Sequence, residues 1–292
     1  MKVLSMGSCN IDYIYEVNHI VRPGETQTVN QMQMVSGGKG LNQSIALVKA
    51  GIEVYHAGLI GFDGAILKDS LMRNHVNCDY LREVEEKSGH AIIQLDRSGE
   101  NCILVYPGAN HCFTEAYIDE VLSQFEQGDF LVLQNEINLI EYILLKAHQL
   151  GIQIVLNPAP FNEKIQDLDL SLVSYLILNE IEGQDLSGKD DDFEILSTLC
   201  ERYPNLHVIL TRGAKGALYK KGTCVIEQSS FKVEAIDTTA AGDTFIGYFI
   251  SGMVKGKGIA NSLELAAKAS SITVTRKGSS SSIPLLEEVL ND

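Results

Sequence analysis

The sequence predicts an α/β fold: a mainly parallel sheet covered by helices, with a second, small antiparallel sheet beside it. Three observations lead there. From about residue 128 short apolar runs alternate with helical stretches, the pattern of βαβ units whose strands are covered on both faces. The start of the chain joins the same scheme. Two other segments alternate polar and apolar residues instead, and a period of two with one wet face does not fit inside a doubly covered sheet.

In chain order, Val3 to Met6 reads as a first buried strand. Residues 27–35 (Gln27 to Val35) alternate polar and apolar towards their end, in Met32-Gln33-Met34. A helix follows near 41–50 and ends at Gly51, the residue suited to a left-handed C-cap. Residues 90–106 read as a hairpin, His90 to Leu95 and Cys102 to Tyr106, turning around Asp96-Arg97-Ser98-Gly99. Phe130 to Leu133 is a strand, followed by a helix through Leu150 with Gly151 at its cap. Strands at Ile152 to Leu156 and Tyr175 to Leu178, a helix near 192–202 and a strand at His207 to Leu210 complete the alternation. Phe231 to Ile236 reads as a further strand leading into a helix that contains Phe245, Ile246, Tyr248, Phe249 and Ile250. The two alternating segments are expected to form a small sheet projecting from the body, either a lid over a site or an edge decoration.

The 292 residues, 45% hydrophobic and 21% charged, suit one large α/β domain or two smaller ones. The net charge of −15 and pI near 4.9 exclude a basic footprint for nucleic acid. Any phosphate ligand must therefore be held by local groups: backbone N–H donors, a helix N-terminus, a few Lys or Arg side chains, or Mg²⁺. No run approaches the roughly 18 apolar residues of a membrane span. The opening Met1 to Gly7 lacks a signal-peptide apolar region, so the expected location is the cytoplasm. Six scattered cysteines (Cys9, Cys78, Cys102, Cys112, Cys200 and Cys224) form no C-x-x-C pair and read as reduced core thiols. The seven histidines show no zinc-binding spacing.

Two segments carry chemistry. In Asp237-Thr238-Thr239-Ala240-Ala241-Gly242-Asp243-Thr244-Phe245, the small residues Ala240, Ala241 and Gly242 open a helix with no side chain to block close approach. Free N–H groups and the positive end of the helix dipole make an anion site there. Asp243, in the first turn, faces whatever binds. Two readings stand side by side: a base taking a proton from an attacking hydroxyl, or an acid that merely favours the helix dipole. The second segment, Ser36-Gly37-Gly38-Lys39-Gly40-Leu41-Asn42-Gln43, opens the helix near 41–50, and its glycines allow a ligand near the backbone. It lacks the Walker A spacing, and Gly7-Ser8-Cys9-Asn10 does not continue as a dinucleotide fingerprint. By itself it reads equally as a glycine turn at a helix start.

Together these residues resemble the signatures of the ribokinase/PfkB-type carbohydrate kinases. Gly37-Gly38-Lys39-Gly40 with Asn42 matches the N-terminal signature, and Asp237 to Phe245 matches D-T-x-A-A-G-D-T-F without a gap. Between and before them lie Gly7-Ser8-Cys9-Asn10-Ile11-Asp12, Pro23-Gly24-Glu25-Thr26, Pro107-Gly108-Ala109-Asn110, Asn157-Pro158-Ala159-Pro160, Asn179-Glu180-Ile181-Glu182 and Thr211-Arg212-Gly213-Ala214-Lys215-Gly216, so the resemblance covers the chain. It implies a ribokinase-like three-layer sandwich, one domain over residues 1–292, with a β-lid from about 12–35 and 90–106. The implied activity is transfer of the ATP γ-phosphoryl group to a sugar hydroxyl, first of all the 5-hydroxyl of D-ribose. Another pentose, a ketose or a nucleoside is the alternative acceptor. A silent sugar sensor on the same scaffold is the more distant one, disfavoured by the intact motifs.

Residue by residue, the resemblance implies that Asn10, Asp12, Gly38, Lys39, Gly40, Asn42 and Glu136 line the sugar pocket. Asn179 and Glu182 would organise Mg²⁺ and phosphate, Glu182 through water. Thr211, Gly213 and Gly216 would border the nucleotide. Ala240, Ala241 and Gly242 would form the anion hole beside Asp243 as base. Asp237, Thr239, Thr273, Arg276, Gly278 and Ser282 would surround a monovalent cation, K⁺. Three positions depart from the family pattern: Arg212 where an apolar residue is common, able to adjust the nucleotide contact; Ala267 where a larger polar residue often meets adenine; and Cys9 in place of an aliphatic. The apolar face of the small sheet, Met32 and Met34 included, is expected to be covered by a second subunit, giving a homodimer through the lid.

Overall fold

The computed structural model describes residues 1–29 and 31–291; Asn30, within the expected small sheet, and Asp292 lie outside the described residues. Along the chain run β1 (Val3–Met6), β2 (Asn10–Glu16), β3 (Gln31–Gly37), α1 (Lys39–Lys49), β4 (Tyr55–Gly61), α2 (Ala65–Arg73), β5 (Asn77–Val84), β6 (Gly89–Leu95) and β7 (Asn101–Tyr106). Next come α3 (Glu115–Leu122), β8 (Phe130–Gln134), α4 (Ile140–Gln149), β9 (Gln153–Asn157), α5 (Glu163–Gln166), β10 (Tyr175–Asn179), α6 (Glu180–Ser187) and α7 (Asp192–Arg202). The last elements are β11 (His207–Thr211), β12 (Ala217–Lys221), β13 (Cys224–Gln228), α8 (Ala241–Val254), α9 (Gly258–Thr273) and α10 (Leu286–Asn291).

Nine strands form one sheet in the order β13-β12-β11-β10-β9-β8-β1-β4-β5. It is parallel from β5 through β11; the β11–β12 and β12–β13 pairs are antiparallel. The apolar runs explain this. In β8, Leu131 and Leu133 point to one face while Phe130 and Val132 point to the other, and all four are buried. On the first face they pack with Ile118, Ile143 and Leu199 of α3, α4 and α7. On the second they pack with Leu41 and Ile45 of α1, Leu71 of α2, Phe249 of α8 and Leu263 of α9. The result is a three-layer α/β/α sandwich. Gly51 and Gly151 have φ of 79° and 70°, as expected of the residues that end α1 and α4.

A four-stranded sheet, β3-β2-β6-β7, stands apart from the large one. Its outer pairs are antiparallel, and its central pair, β2 with β6, is parallel because a long crossover through α1, β4, α2 and β5 separates them. Met32, Met34, Ile103, Leu104 and Val105 of this sheet are exposed.

Two sequence expectations are corrected. Phe231 to Ile236 pairs with no strand among the described residues, and Phe231, Val233 and Ile236 are exposed. The sheet ends at β13, and the segment is tied instead to the end of α9, where the Val274 carbonyl accepts the N–H groups of Ile236 and Asp237. The six cysteines are all unpaired, but only Cys9 and Cys200 are buried. Cys102 and Cys224 are exposed because they lie on β7 and β13, the edge strands of their sheets.

Helices α1 and α8 touch through backbone. A Cβ on Gly247 would stand 2.5 Å from the Ala46 Cβ and 2.8 Å from its carbonyl carbon. Gly247→Val should therefore force the helices apart and lower stability by about 1–3 kcal/mol, the range usual for overpacking. Urea unfolding checks this; an unchanged midpoint would show that the contact is not tight.

Candidate active site

The strand order reverses direction between β1 and β8, which makes a crevice at the carboxyl ends of the parallel strands. A cavity of about 240 Å³ lies at the carboxyl ends of β9, β10 and β11. Asn157, Asn179 and Thr211 line it from the ends of β9, β10 and β11, Glu182 from α6, and Lys39 from the start of α1. Thr238, Ala240, Gly242, Asp243 and Ile246 close it from the α8 side.

The α8 start turns free N–H groups towards the cavity side. Ala240, its N-cap, takes a left-handed conformation (φ 60°), and Ala241 begins the right-handed helix. This reversal turns successive N–H groups into one concavity. Neither Gly242 nor Asp243 uses its N–H in a hydrogen bond among the described residues, while Thr244 N–H donates to the Ala240 carbonyl at 2.8 Å. A left-handed alanine is strained by roughly 1–2 kcal/mol, and the Thr244 hydroxyl also donates to the Ala240 carbonyl, at 2.8 Å, helping to hold it.

Asp243 is buried. Its Oδ2 accepts from Asn42 Nδ2 at 3.2 Å and its Oδ1 from Gln43 Nε2 at 2.9 Å, so both carboxylate oxygens are gripped from α1. Gly38 caps α1 with φ of 91°. Gly40 lets α1 press on the loop after β1, since a Cβ there would lie 2.5 Å from the Gly7 carbonyl carbon and the Ser8 nitrogen. The Ser8 hydroxyl and the Lys39 N–H both donate to Glu136 Oε2, the latter at 2.9 Å. Asn10 Oδ1 accepts from Asn110 Nδ2 at 2.7 Å. Asp12 lies against Gly37, where a Cβ would come within 2.0 Å of its Oδ2. Burial, together with the nearby Glu136 charge, pushes the Asp12 carboxyl up to about 7.

Lys39 is the cation of the site. Burial pulls its ammonium down, but the charges of Asp243, Glu136 and Glu182 outweigh it and hold the group above its usual range. Asn179 and Glu182 form a capping box on α6: Asn179 Oδ1 accepts the Glu182 N–H at 2.9 Å, and Glu182 Oε2 accepts the Asn179 N–H at 3.0 Å. Burial pushes the Glu182 carboxyl up, partly offset by that N–H and by Lys39.

Asp237 Oδ1 accepts the Thr239 N–H at 2.9 Å and its Oδ2 the Gly278 N–H at 3.0 Å, which joins the approach to α8 to the loop after α9. Burial acts to raise its carboxyl, and these N–H donors prevail and hold it low. Gly278 has φ of 103°. The Ser282 hydroxyl donates to the Ser279 carbonyl at 2.7 Å, and the Thr273 hydroxyl is buried against Thr244 and Ala269. The Arg276 side chain is engaged with Glu288 at 2.5 Å, so it offers this region only its backbone.

Gly213 and Gly216 have φ of 51° and 95°, and a Cβ on Gly216 would meet the Gln228 carbonyl at 2.0 Å. They shape the turn after β11 but do not line the cavity, which Thr211 does. Arg212 stands apart from the cavity. Its guanidinium is buried and turned to Glu227 at 2.8 Å and Asp192 at 3.6 Å, holding the turn to β13 and α7 rather than reaching into the cavity. Ala267 is buried in the core and does not line the cavity either.

Four polar residues at the site escaped the sequence reading of ligand positions: Ser8, Gln43, Asn110 and Gln134. Gln134 Nε2 donates to Gln43 Oε1 at 2.8 Å. A glutamine ending the apolar run of β8 was the only sequence signal for it.

The sequence matches the pfkB family carbohydrate kinases over residues 1–286. It is 35% identical to a ribokinase of Haemophilus influenzae over 98% of this chain and 96% of that one. Ribokinase from Cryptococcus neoformans var. grubii serotype A, in complex with ADP, superposes with a TM-score of 0.86 at 33% identity, covering 99% of both chains. Ribokinase from Arabidopsis thaliana, complexed with ribose and ATP, gives 0.87 at 28% identity over 99% of this chain and 97% of that one.

The Asp12 carboxyl sets a pH dependence that needs no ligand. Its folded value, about 7, lies above its ordinary 3.8. The stability it supports is full below the ordinary value and is lost as pH rises through the folded one. Asp12→Asn, which stays neutral, should gain on the parent in urea midpoint between pH 5 and pH 8. A constant difference across that range would show that Asp12 titrates normally.

Proposed function

The chain belongs to the pfkB family of carbohydrate kinases, and from that premise we propose that it transfers the γ-phosphoryl group of ATP to the 5-hydroxyl of D-ribose, with Asp243 as the base. The observation that carries the reading is the convergence of Asp243, the strained Ala240 turn and Lys39 on one cavity. A carboxylate beside an anion site is repelled by bound phosphate, and it makes chemical sense as the acceptor of a hydroxyl proton. The identity to ribokinases over nearly the whole chain supports ribose as the acceptor.

In this scheme the sugar oxygen attacks the γ-phosphorus and the bond from that phosphorus to the ADP oxygen breaks. The hydroxyl proton passes to the Asp243 carboxylate, and ADP leaves. The N–H groups at Gly242 and Asp243, the α8 dipole and the Lys39 ammonium stabilise the charge spread over the transferring group. Asn10, Asp12, Gly38, Gly40, Asn42 and Glu136 form the sugar side. The Asn42 Oδ1, buried with no partner among the described residues, suits a hydroxyl donor. Thr211, with the Gly213 to Gly216 turn, forms the nucleotide side.

Glu182, with Asn179, would hold Mg²⁺ through its waters. This fits a buried carboxylate whose oxygens already serve a capping box, in a site where no three His, Cys, Asp or Glu converge among the described residues. Mg²⁺ when bound supplies neutralisation of the phosphate charge. We assign K⁺ to the loops joined by Asp237, with Thr239, Thr273, Arg276, Gly278 and Ser282 contributing mostly carbonyls. The six unpaired cysteines fit a cytoplasmic enzyme. We read residues 1–292 as one domain whose small sheet is the lid, and a homodimer through that lid accounts for the exposed Met32, Met34, Leu104 and Val105.

An ADP-release assay over ribose, 2-deoxyribose, other pentoses, ketoses and nucleosides tests the acceptor. Ribose should give the highest kcat/KM; robust turnover only on another acceptor would overturn that choice. In the same assay Asp243→Asn should lower kcat by roughly 10²-fold or more while sugar affinity is kept. Omission of Mg²⁺, or replacement of K⁺ by a bulky organic cation, should lower turnover; no response would remove that ion from the scheme. Sedimentation at micromolar concentration should show a dimer, and a monomer would refute the lid interface.

A further inference from the structure

Two buried amides, Asn42 and Gln43, grip the Asp243 carboxylate and a third, Gln134, stands behind Gln43; only Asn42 among them has a place in the substrate site. Gln43 is fully buried, and its Nε2 reaches Asp243 Oδ1 at 2.9 Å. Its Oε1 is held by Nε2 of Gln134, also fully buried, at 2.8 Å. The direction of this chain is forced. A carboxylate can only accept, so Gln43 must present its NH₂ to Asp243 and its oxygen to Gln134, which then presents its own NH₂. The last atom of the chain, Gln134 Oε1, has no partner among the described residues. It occupies the space a side chain on Gly7 would need, 2.0 Å from that Cβ position.

An apolar side chain of the same shape in place of Gln134 would remove the orphan Oε1 but strand the buried Oε1 of Gln43, so packing alone does not account for the glutamine. What the chain does is hold Gln43. With Gln43 on one oxygen and Asn42 on the other, the carboxylate cannot rotate about Cβ–Cγ without losing a hydrogen bond. Both donors come from α1, on one side of the group, so the oxygens' remaining lone pairs are left towards the cavity that Asp243 lines.

We propose that Gln43 is the positioning residue of the base and that Gln134 locks it, a relay running from the end of β8 through α1 to α8. This rests on the reading of Asp243 as the proton acceptor. A base held within a few tenths of an ångström keeps a near-attack geometry, and a displacement of about 1 Å can lower the rate as much as 10²-fold. Gln43 itself touches neither substrate; it acts through Asp243.

The test uses Gln43→Met, Gln43→Glu, Gln134→Met, the Gln43→Met/Gln134→Met double variant and Asp243→Asn in the full-length enzyme. It reads kcat, both KM values, the pH profile of kcat and the urea midpoint. Gln43→Met should lower kcat roughly ten- to a hundred-fold while both KM values change less than about two-fold. Gln134→Met should lower kcat by a smaller factor, and the double variant should be no slower than Gln43→Met, because both act along one path.

Gln43→Glu sets a second carboxylate against Asp243, and the two then share a proton. Its acid limb of kcat should move to higher pH, with activity recovering in alkali, a shift that a purely structural residue would not produce. Parental kcat and an unmoved pH profile in the Gln43 variants, with Asp243→Asn inactive, would overturn the positioning role alone. Parental turnover in Asp243→Asn would overturn the base and the relay together. If Gln43→Met does not fold, an unmoved acid limb in Gln43→Glu together with full activity in Gln134→Met overturns the relay.

Discussion

Helix α8 lies so close to α1 that no Cβ fits at Gly247, where it would stand 2.5 Å from the Ala46 Cβ. The rest of the site depends on this contact. It brings the first turn of α8 beside the first turn of α1, so that Asn42 and Gln43 reach both oxygens of Asp243 across some two hundred residues of sequence. The apolar run of α8 supplies the force, with Phe245, Ile246, Phe249 and Ile250 buried together with Ile45 and Leu47 of α1. Gly40 repeats the device at the other end of the site, where α1 meets the backbone of Gly7 and Ser8. Missing side chains thus position the polar ones.

The same geometry offers an acidic protein a place for phosphate. A net charge of −15 repels polyanions at a distance, so attraction must be local. There the α8 dipole, the N–H groups after Ala240 and one half-buried lysine come together. Lys39 keeps its proton against burial because three carboxylates, Asp243, Glu136 and Glu182, surround it. Those carboxylates do not simply cancel it. Each is tied to other donors, Asp243 by the α1 amides, Glu136 by Ser8 and the Lys39 N–H, and Glu182 by Asn179.

Several motif residues serve the backbone first. Asn179 and Glu182 complete a capping box that starts α6 at the cavity wall, and Asp237 ties the approach to α8 to the loop after α9. A spacing that marks a ligand site is then also a folding signal, which is why each motif read alone had two meanings. Arg212 shows the reverse case: as a departure from the family pattern it suggested a nucleotide contact, and it proved to be a buried strut between Asp192 and Glu227.

The sequence by itself determined the parallel sheet, because strands covered on both faces must be apolar throughout, as Phe130 to Leu133 and Ile154 to Leu156 are. It determined the helix ends at Gly51 and Gly151, where only the local backbone conformation matters. It also singled out two segments with small residues at helix starts, and both border one cavity. Only the tertiary structure decided that Phe231 to Ile236 pairs with no strand among the described residues, since an edge is a property of the sheet and not of the strand. It decided too that β2 runs parallel to β6, through a crossover no local pattern records. Gln43 and Gln134 acquire their meaning in the same way. An amide's role is set by the group it faces, and that group, Asp243, lies on a helix whose position is fixed by packing against α1.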